Sequence, residues 1–156
     1  MQTHVTSRLA TLEHQFPTPS GSRISPQQQP LQRTQGEIEA DVCEVVRRYS
    51  IEYMGRGPKD VRAYLLEDLL IVRMFGIFTV AEQHLAATAS EKGTLLLKQV
   101  RGQLIEVARK ELEAMIRVCT SVNVLSLHHD ICTVTEEEIL VFTLDASPSF
   151  RPIKRK

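Results

Sequence analysis

Residues 60–75 read DVRAYLLEDLLIVRMF, and this stretch decides the fold. Two runs rich in aliphatic, β-branched and aromatic residues flank a short acidic turn, which predicts two strands joined as a hairpin. Because successive side chains of a strand point to opposite faces, Val61, Ala63 and Leu65 are expected on the buried side. The stretch is therefore predicted to form an antiparallel β-hairpin.

Three helices are predicted around this hairpin. Apolar residues recur at spacings of three and four over residues 38–53, and Thr34 with Glu37 has the form of a capping box. A short helix is predicted over residues 79–87 and a longer one over residues 90–117.

The longest predicted helix carries an apolar stripe and a charged stripe. The residues expected in its buried stripe are Leu97, Val100, Leu104, Val107, Ala108, Leu112 and Met115. The residues expected on its solvated face are Lys98, Arg101, Glu106, Lys110 and Glu113. A helix of this kind packs its apolar stripe on a sheet or on other helices.

A second hairpin is predicted after this helix, with strands over residues 122–131 and 138–145. The chain then reads helix, two strands, two helices, two strands. This order indicates an α+β fold in which two antiparallel hairpins form a four-stranded sheet with a layer of about three helices on one face. The other face stays exposed or forms a dimer interface, and the order of the strands is left open.

Composition divides the chain into three parts. Residues 1–34 are rich in Pro, Gln and Ser, which predicts a disordered tail. Residues 35–146 are expected to form the folded domain, and residues 147–156 a basic C-terminal tail. Residues 36–146 contain 12 basic and 18 acidic side chains, which argues against a nucleic-acid partner because such a partner selects a basic face.

The distribution of apolar residues bears on location. No apolar run reaches the roughly 18–20 residues that cross a bilayer, so no direct membrane span is predicted. The first residues lack the apolar core of a secretory signal, and the three cysteines show no metal-site spacing. We therefore expect a cytoplasmic protein, whose contact with a membrane would be peripheral, with no metal and no cofactor.

One candidate ligand site is rich in glycine and arginine. Gly55, Arg56 and Gly57 form a loop with a guanidinium and free backbone amides, and Arg62 and Arg73 on the neighbouring strands add positive charge. Together they would bind a small anion. The alternative is that the loop only ends the first helix and that the arginines pair with nearby acids.

A second candidate is the segment His128-His129-Asp130. Strand alternation places His128 and Asp130 on one face and His129 on the other. The pair would form a polar site able to carry out acid–base chemistry, whereas the alternative is a polar strand end without such a role. No nucleophile elbow, phosphate loop or dinucleotide fingerprint is present in the sequence, and no catalytic residue is predicted.

Seven short motifs follow one another in a characteristic order. They are GEIE at 36–39, YMGRGP at 53–58, VRAY at 61–64, VRMFG at 72–76, TVAE at 79–82, LSLH at 125–128 and VFTLD at 141–145. Together they resemble the MpsC-like domain family over nearly all of residues 36–145. The resemblance implies a small soluble protein without an established enzymatic activity, linked to a membrane system of sodium translocation, membrane potential and inorganic carbon uptake.

These observations favour one functional hypothesis and leave two others open. The favoured one is an accessory or regulatory protein, a homodimer, that docks on a membrane transport protein. The second is a sensor that binds a small anion or a nucleotide through Arg56, Arg62 and Arg73. The third is an enzyme that uses His128 and Asp130.

Overall fold

A computed structural model describes residues 32–87 and 91–152. Its elements, in chain order, are α1 (Gln35–Met54), β1 (Asp60–Leu66), β2 (Leu69–Phe75), α2 (Val80–Ala87), α3 (Glu91–Thr120), β3 (Val124–Cys132) and β4 (Glu137–Leu144). The predicted order of elements and the α+β fold class are confirmed. The expected N-terminal tail, apart from residues 32–34, and residues 153–156 of the expected basic tail lie outside the described residues.

Local interactions that the sequence predicted fix both ends of α1. The Thr34 hydroxyl accepts a hydrogen bond from the Glu37 amide, and the Glu37 carboxylate accepts one from the Thr34 amide at 2.7 Å. Gly55 follows the helix in the left-handed conformation, with a φ of 72°. The same reciprocal pair recurs at the start of α2, where Thr79 and Glu82 exchange hydrogen bonds.

Replacing Gly55 by alanine is expected to lower the free energy of unfolding by about 1 kcal/mol, because a Cβ disfavours the left-handed conformation. Gly36 is the matched control, since it lies in the first turn of α1 and an added Cβ would meet no atom within 4 Å. Gly36→Ala should leave stability unchanged or raise it by about 0.5 kcal/mol. Urea unfolding followed by circular dichroism measures both, and a Gly55→Ala variant as stable as the wild type would contradict the assigned cap.

The four strands form one antiparallel sheet in the order β1-β2-β4-β3. β1 pairs with β2, and β3 with β4, as the two predicted hairpins. β2 and β4 pair at the centre and join them, with Val72 opposite Leu140 and Arg73 opposite Ile139. The central pairing joins segments that are far apart in the chain, so local sequence patterns do not specify it.

All three helices pack on one face of the sheet. α1 lies against β1, α3 against β3, and α2 against α3. Alternate strand residues point into the core beneath them, and the predicted inward side of β1 is confirmed. The buried apolar strand residues are Val61, Ala63, Leu65, Leu70, Val72, Met74, Leu127, Ile131, Leu140, Phe142 and Leu144.

The buried stripe of α3 differs from the predicted one. It consists of Leu97, Arg101, Ile105, Ala108, Leu112, Ile116 and Cys119. Val100 and Val107, predicted to be buried, are 48% and 78% exposed, and Arg101, predicted to be solvated, is 1% exposed. The prediction assigned Arg101 to the solvated face. This assignment shifted the predicted buried stripe around the helix, so that it included Val100 and Val107. Neither α3 nor any other helix of the described residues is long and apolar enough to cross a membrane.

Side chains from the helices occupy part of each outer edge of the sheet. On β1, the Leu65 amide donates to the Glu39 carboxylate and the Leu65 carbonyl accepts from Gln35, each at 2.9 Å. On β3, Arg109 of α3 donates to the Leu127 carbonyl at 3.1 Å. These hydrogen bonds reduce the number of edge groups that can pair with a strand of another chain. Within residues 32–87 and 91–152, no helix packs on the other face of the sheet.

Candidate functional site

Arg101 is the centre of a buried polar cluster. Its guanidinium donates to the two carboxylate oxygens of Glu82 at 2.7 and 3.1 Å, and to Glu138 at 3.1 Å. A further hydrogen bond of 2.8 Å reaches the Ile77 carbonyl, and the guanidinium lies 5.3 Å from the centre of the Phe78 ring. The cluster thus links α3 to β4, to the first turn of α2 and to the loop before α2.

Two carboxylates share this one guanidinium, so the fully ionised cluster carries a net negative charge. Among the described residues, Oε1 of Glu138 and the Tyr49 hydroxyl are buried without a hydrogen-bond partner. Burial raises the pKa of Glu138 to about 7, against the attraction of Arg101. Burial also acts to raise the pKa of Glu82, but hydrogen bonds from Arg101 and Thr79 outweigh it and the pKa is lowered. Glu138 is therefore the group that can take up a proton near neutral pH.

A narrow cleft leads to this cluster. Ser50 and Arg56 lie along it, and Arg101 and Glu138 also line it. The Ser50 hydroxyl already donates to the Val46 carbonyl at 3.0 Å. The unpaired oxygen of Glu138 is therefore an acceptor in this cleft without a donor, and a proton on that carboxyl would remove its buried negative charge.

The three predicted arginines lie at two separate places. Arg56 lines the cleft on the helix side of the sheet. Arg62 and Arg73 are cross-strand neighbours on the opposite face, where they pair with Asp60 and Glu137 at 2.9 and 2.6 Å. An anion bound by Arg56 would therefore lie on the other side of the sheet from one bound by Arg62 and Arg73. A ligand role for these residues stays a prediction.

The two glycines of the predicted loop have conformational and packing roles. Gly55 provides the left-handed residue that follows α1. A Cβ on Gly57 would lie 3.0 Å from the Ile51 side chain, so this position favours a residue without one. The Arg56 guanidinium donates to the Phe78 carbonyl across the loop. These contacts account for the loop sequence independently of any bound anion.

His128 and Asp130 share one face of β3 and His129 lies on the other, as alternation predicts. Lys98 of α3 pairs with Asp130 at 2.9 Å, and both members of the His128–Asp130 pair are exposed. His129 faces Gly102 of α3, where an added Cβ would lie 3.4 Å from the imidazole. Within residues 32–87 and 91–152, no group of three or more His, Cys, Asp or Glu is placed to hold a metal ion. A role for His128 and Asp130 in a polar site stays a prediction.

We call the sheet surface that carries no helix the open face. Its side chains are Asp60, Arg62, Tyr64 and Leu66 of β1, Leu69, Ile71, Arg73 and Phe75 of β2, Glu137, Ile139, Val141 and Thr143 of β4, and Ser126, His128, Asp130 and Cys132 of β3. The charged groups lie toward one end of the strands, and apolar groups predominate toward the other. A continuous surface of this kind is a candidate for contact with another protein.

Sequence reasoning missed Arg101 and Glu138, although a signal for each was present. Arg101 stands four residues after Leu97 and four before Ile105, in phase with the apolar stripe. Glu138 stands two residues before Leu140, on the inward side of β4. A charged residue in phase with buried positions requires a buried partner of opposite charge. These two residues supply that partner to each other.

Fold and site define a two-layer α+β domain with a buried arginine–carboxylate cluster and an open sheet face. The model of the MpsC family, described as a Na+-translocating membrane potential-generating system, matches residues 34–146. The chain belongs to this family, and the resemblance drawn from the motifs is confirmed. It is also similar to the uncharacterized protein YbcI of Bacillus subtilis (strain 168), with 32% identity over 114 residues, which are 73% of this chain and 90% of that protein. No solved structure matches the chain.

Proposed function

We propose that this chain is a non-enzymatic accessory or regulatory subunit that associates with a membrane ion or inorganic carbon transport system. The observation that carries the proposal is the family match, which spans residues 34–146 and so includes all seven helices and strands. The family description refers to a system that translocates Na+ and generates a membrane potential. In this role the chain would lie on the cytoplasmic side, peripheral to the membrane, and act through contact with a transport protein.

An exposed apolar line on α3 supports this proposal. Leu96, Val100, Val107 and Val118 are spaced so that they lie along one side of the helix, and all four are about half exposed or more. We call them the α3 ridge. At about 1.5 Å per residue the ridge is roughly 33 Å long. A helix with such a line of apolar residues can dock in an apolar groove of a partner.

Capture of the tagged chain from detergent-solubilised membranes of its own organism tests the proposal. The wild type should recover an integral membrane protein of an ion or inorganic carbon transport system, and Val107→Glu with Val118→Glu should reduce the recovery at least about tenfold, because it places charges on the ridge. Val134→Glu is the matched control, since Val134 is 90% exposed and lies in the turn before β4. The control should recover the same protein in the same amount as the wild type.

Two results would count against this role. One is that the wild type recovers no membrane transport protein, and the other is that the ridge variant recovers it as well as the Val134→Glu control does. Circular dichroism of the purified variants should show that the ridge substitutions leave the domain folded, because the replaced side chains are exposed.

A further inference from the structure

Opposite residues of the four strands line up in rows across the open face. One row consists of Arg62, Arg73, Ile139 and Asp130, and the next consists of Tyr64, Ile71, Val141 and His128. The first row is positive on β1 and β2 and negative on β3. The second row is apolar in its middle and ends in an aromatic side chain on β1 and an imidazole on β3.

A second open face can be placed on the first by a two-fold axis that lies in the plane of contact, runs parallel to the strands and passes between β2 and β4. Each row then lies opposite the same row of the partner subunit, in reverse order. Arg62 then lies opposite Asp130 of the partner subunit, at the rim of the contact. Ile71 lies opposite Val141 of the partner subunit, next to the axis. Each of these contacts occurs twice, because a two-fold interface is reciprocal. These two rows therefore place opposite charges at the rim and one apolar contact beside the axis, whereas Arg73 lies opposite Ile139 of the partner subunit and keeps its in-chain pair with Glu137.

We propose that two copies of this chain pack open face to open face about this axis, with reciprocal Arg62–Asp130 pairs at the rim. Two observations favour a second copy as the occupant. Side chains of α1 and α3 occupy backbone groups of Leu65 and Leu127 on the outer edges of the sheet, which makes strand addition at these positions less favourable. Arg62 and Asp130, at the two ends of one row, also meet each other's charge in a second copy.

The in-chain partners of Arg62 and Asp130 are compatible with this contact. Asp60 holds Arg62 and Lys98 holds Asp130, each at 2.9 Å, in exposed pairs that contribute little to stability. A guanidinium has five donors and a carboxylate has several acceptor sites, so each group can keep its neighbour and also bind the partner subunit. Contact with the partner subunit shields part of each Arg62–Asp130 pair from solvent, and their attraction becomes stronger.

The size of the face sets the expected affinity. Four strands about 4.8 Å apart, each with four outward side chains about 6.8 Å apart, give a face of about 500 Å². Two such faces bury on the order of 1,000 Å², which is near the lower limit for specific interfaces. A micromolar dimer is therefore expected, and it should be visible in solution at concentrations up to about 200 μM.

Charge reversal at the rim tests the proposal by sedimentation velocity on the full chain. Arg62→Asp and Asp130→Arg should each raise the dimer dissociation constant at least about tenfold, because both reciprocal pairs become like-charged. Mixed in equal amounts, the two variants should form a heterodimer with both pairs again opposite in charge. The dissociation constant of that heterodimer should lie within about threefold of the wild-type value. Different affinity tags on the two variants identify the heterodimer.

Arg117→Asp is the matched control, because Arg117 is exposed on α3 and away from the open face. It should dimerise as the wild type does. The proposal is overturned by a wild type that stays monomeric up to about 200 μM, by single variants that dimerise like the control, or by a mixture that fails to restore the dimer. If a reversal fails to fold, Arg62→Ala and Asp130→Ala replace it, with a smaller rise expected in the dissociation constant. The α3 ridge is on the helical layer, away from the open face. Loss of dimerisation and loss of docking on a transport protein can therefore be observed separately.

Discussion

Arg101→Met is expected to lower the free energy of unfolding by about 3–5 kcal/mol, because the buried carboxylate of Glu138 loses its cation. The change also removes both hydrogen bonds to Glu82 and the one to the Ile77 carbonyl, so the start of α2 loses its polar link to α3. Methionine retains much of the apolar stem of arginine, so the loss reports mainly on the guanidinium. Urea unfolding at pH 7, followed by circular dichroism, measures it.

Two further variants separate charge from packing. Combining Arg101→Met with Glu138→Leu replaces a buried ion pair by apolar side chains and should recover most of the lost stability. Arg109→Met removes an arginine of the same helix whose pair with Glu106 is near the surface, and it should cost about 1 kcal/mol or less. If Arg101→Met costs no more than Arg109→Met, the buried cluster does not stabilise the fold in the way described.

Glu138→Gln is expected to remove a decrease in stability that the wild type shows between about pH 5 and pH 8. The pKa of Glu138 is raised to about 7 from an ordinary value of 4.5. The folded state therefore binds the proton more tightly than the unfolded state does. This contribution to stability is complete below pH 4.5 and is lost as the pH rises through about 7. The difference between the two pKa values corresponds to roughly 3 kcal/mol at most.

Unfolding of the wild type and of Glu138→Gln at several pH values checks this expectation. Glutamine resembles the protonated carboxyl, so the two proteins should have similar stability at pH 5, and the variant should be the more stable at pH 8. The lowered pKa of Glu82 acts in a separate range, because its contribution is present above 4.5 and is lost only as the pH falls below that value. A wild type that gains stability relative to the variant between pH 5 and pH 8 would show that Arg101 keeps Glu138 ionised.

Local chemistry made much of the fold predictable from sequence. The capping box at Thr34 depends on residues three positions apart, and it was predicted. The capping box at Thr79 and the left-handed Gly55 are equally local. The hairpins follow in the same way from alternation around short turns. The pairing of β2 with β4 depends on segments far apart in the chain, so strand order required the structure.

The buried cluster was not predicted because the burial of each charged member is favourable only when its partner is buried beside it. The sequence pattern predicts Arg101 as a solvated charge and Glu138 as the first residue of the last strand, with no buried partner for either. Their burial becomes favourable once α3 crosses the sheet and brings the two within 3.1 Å. The separation of Arg56 from Arg62 and Arg73 has a similar origin, since the loop and the strands that carry them follow one another in sequence but lie on different sides of the sheet.

The central pairing of β2 with β4 also affects how the chain is synthesised. The ribosome completes α1 and the first hairpin well before β4, because residues 76–136 lie between the two central strands. At about 5–20 residues per second, the inner edge of β2 waits several seconds for its partner. During that interval this edge, rather than the partly covered outer ones, is open to pairing with a neighbouring nascent chain. The strand most vulnerable to misassembly during translation is thus one that ends at the centre of the finished sheet.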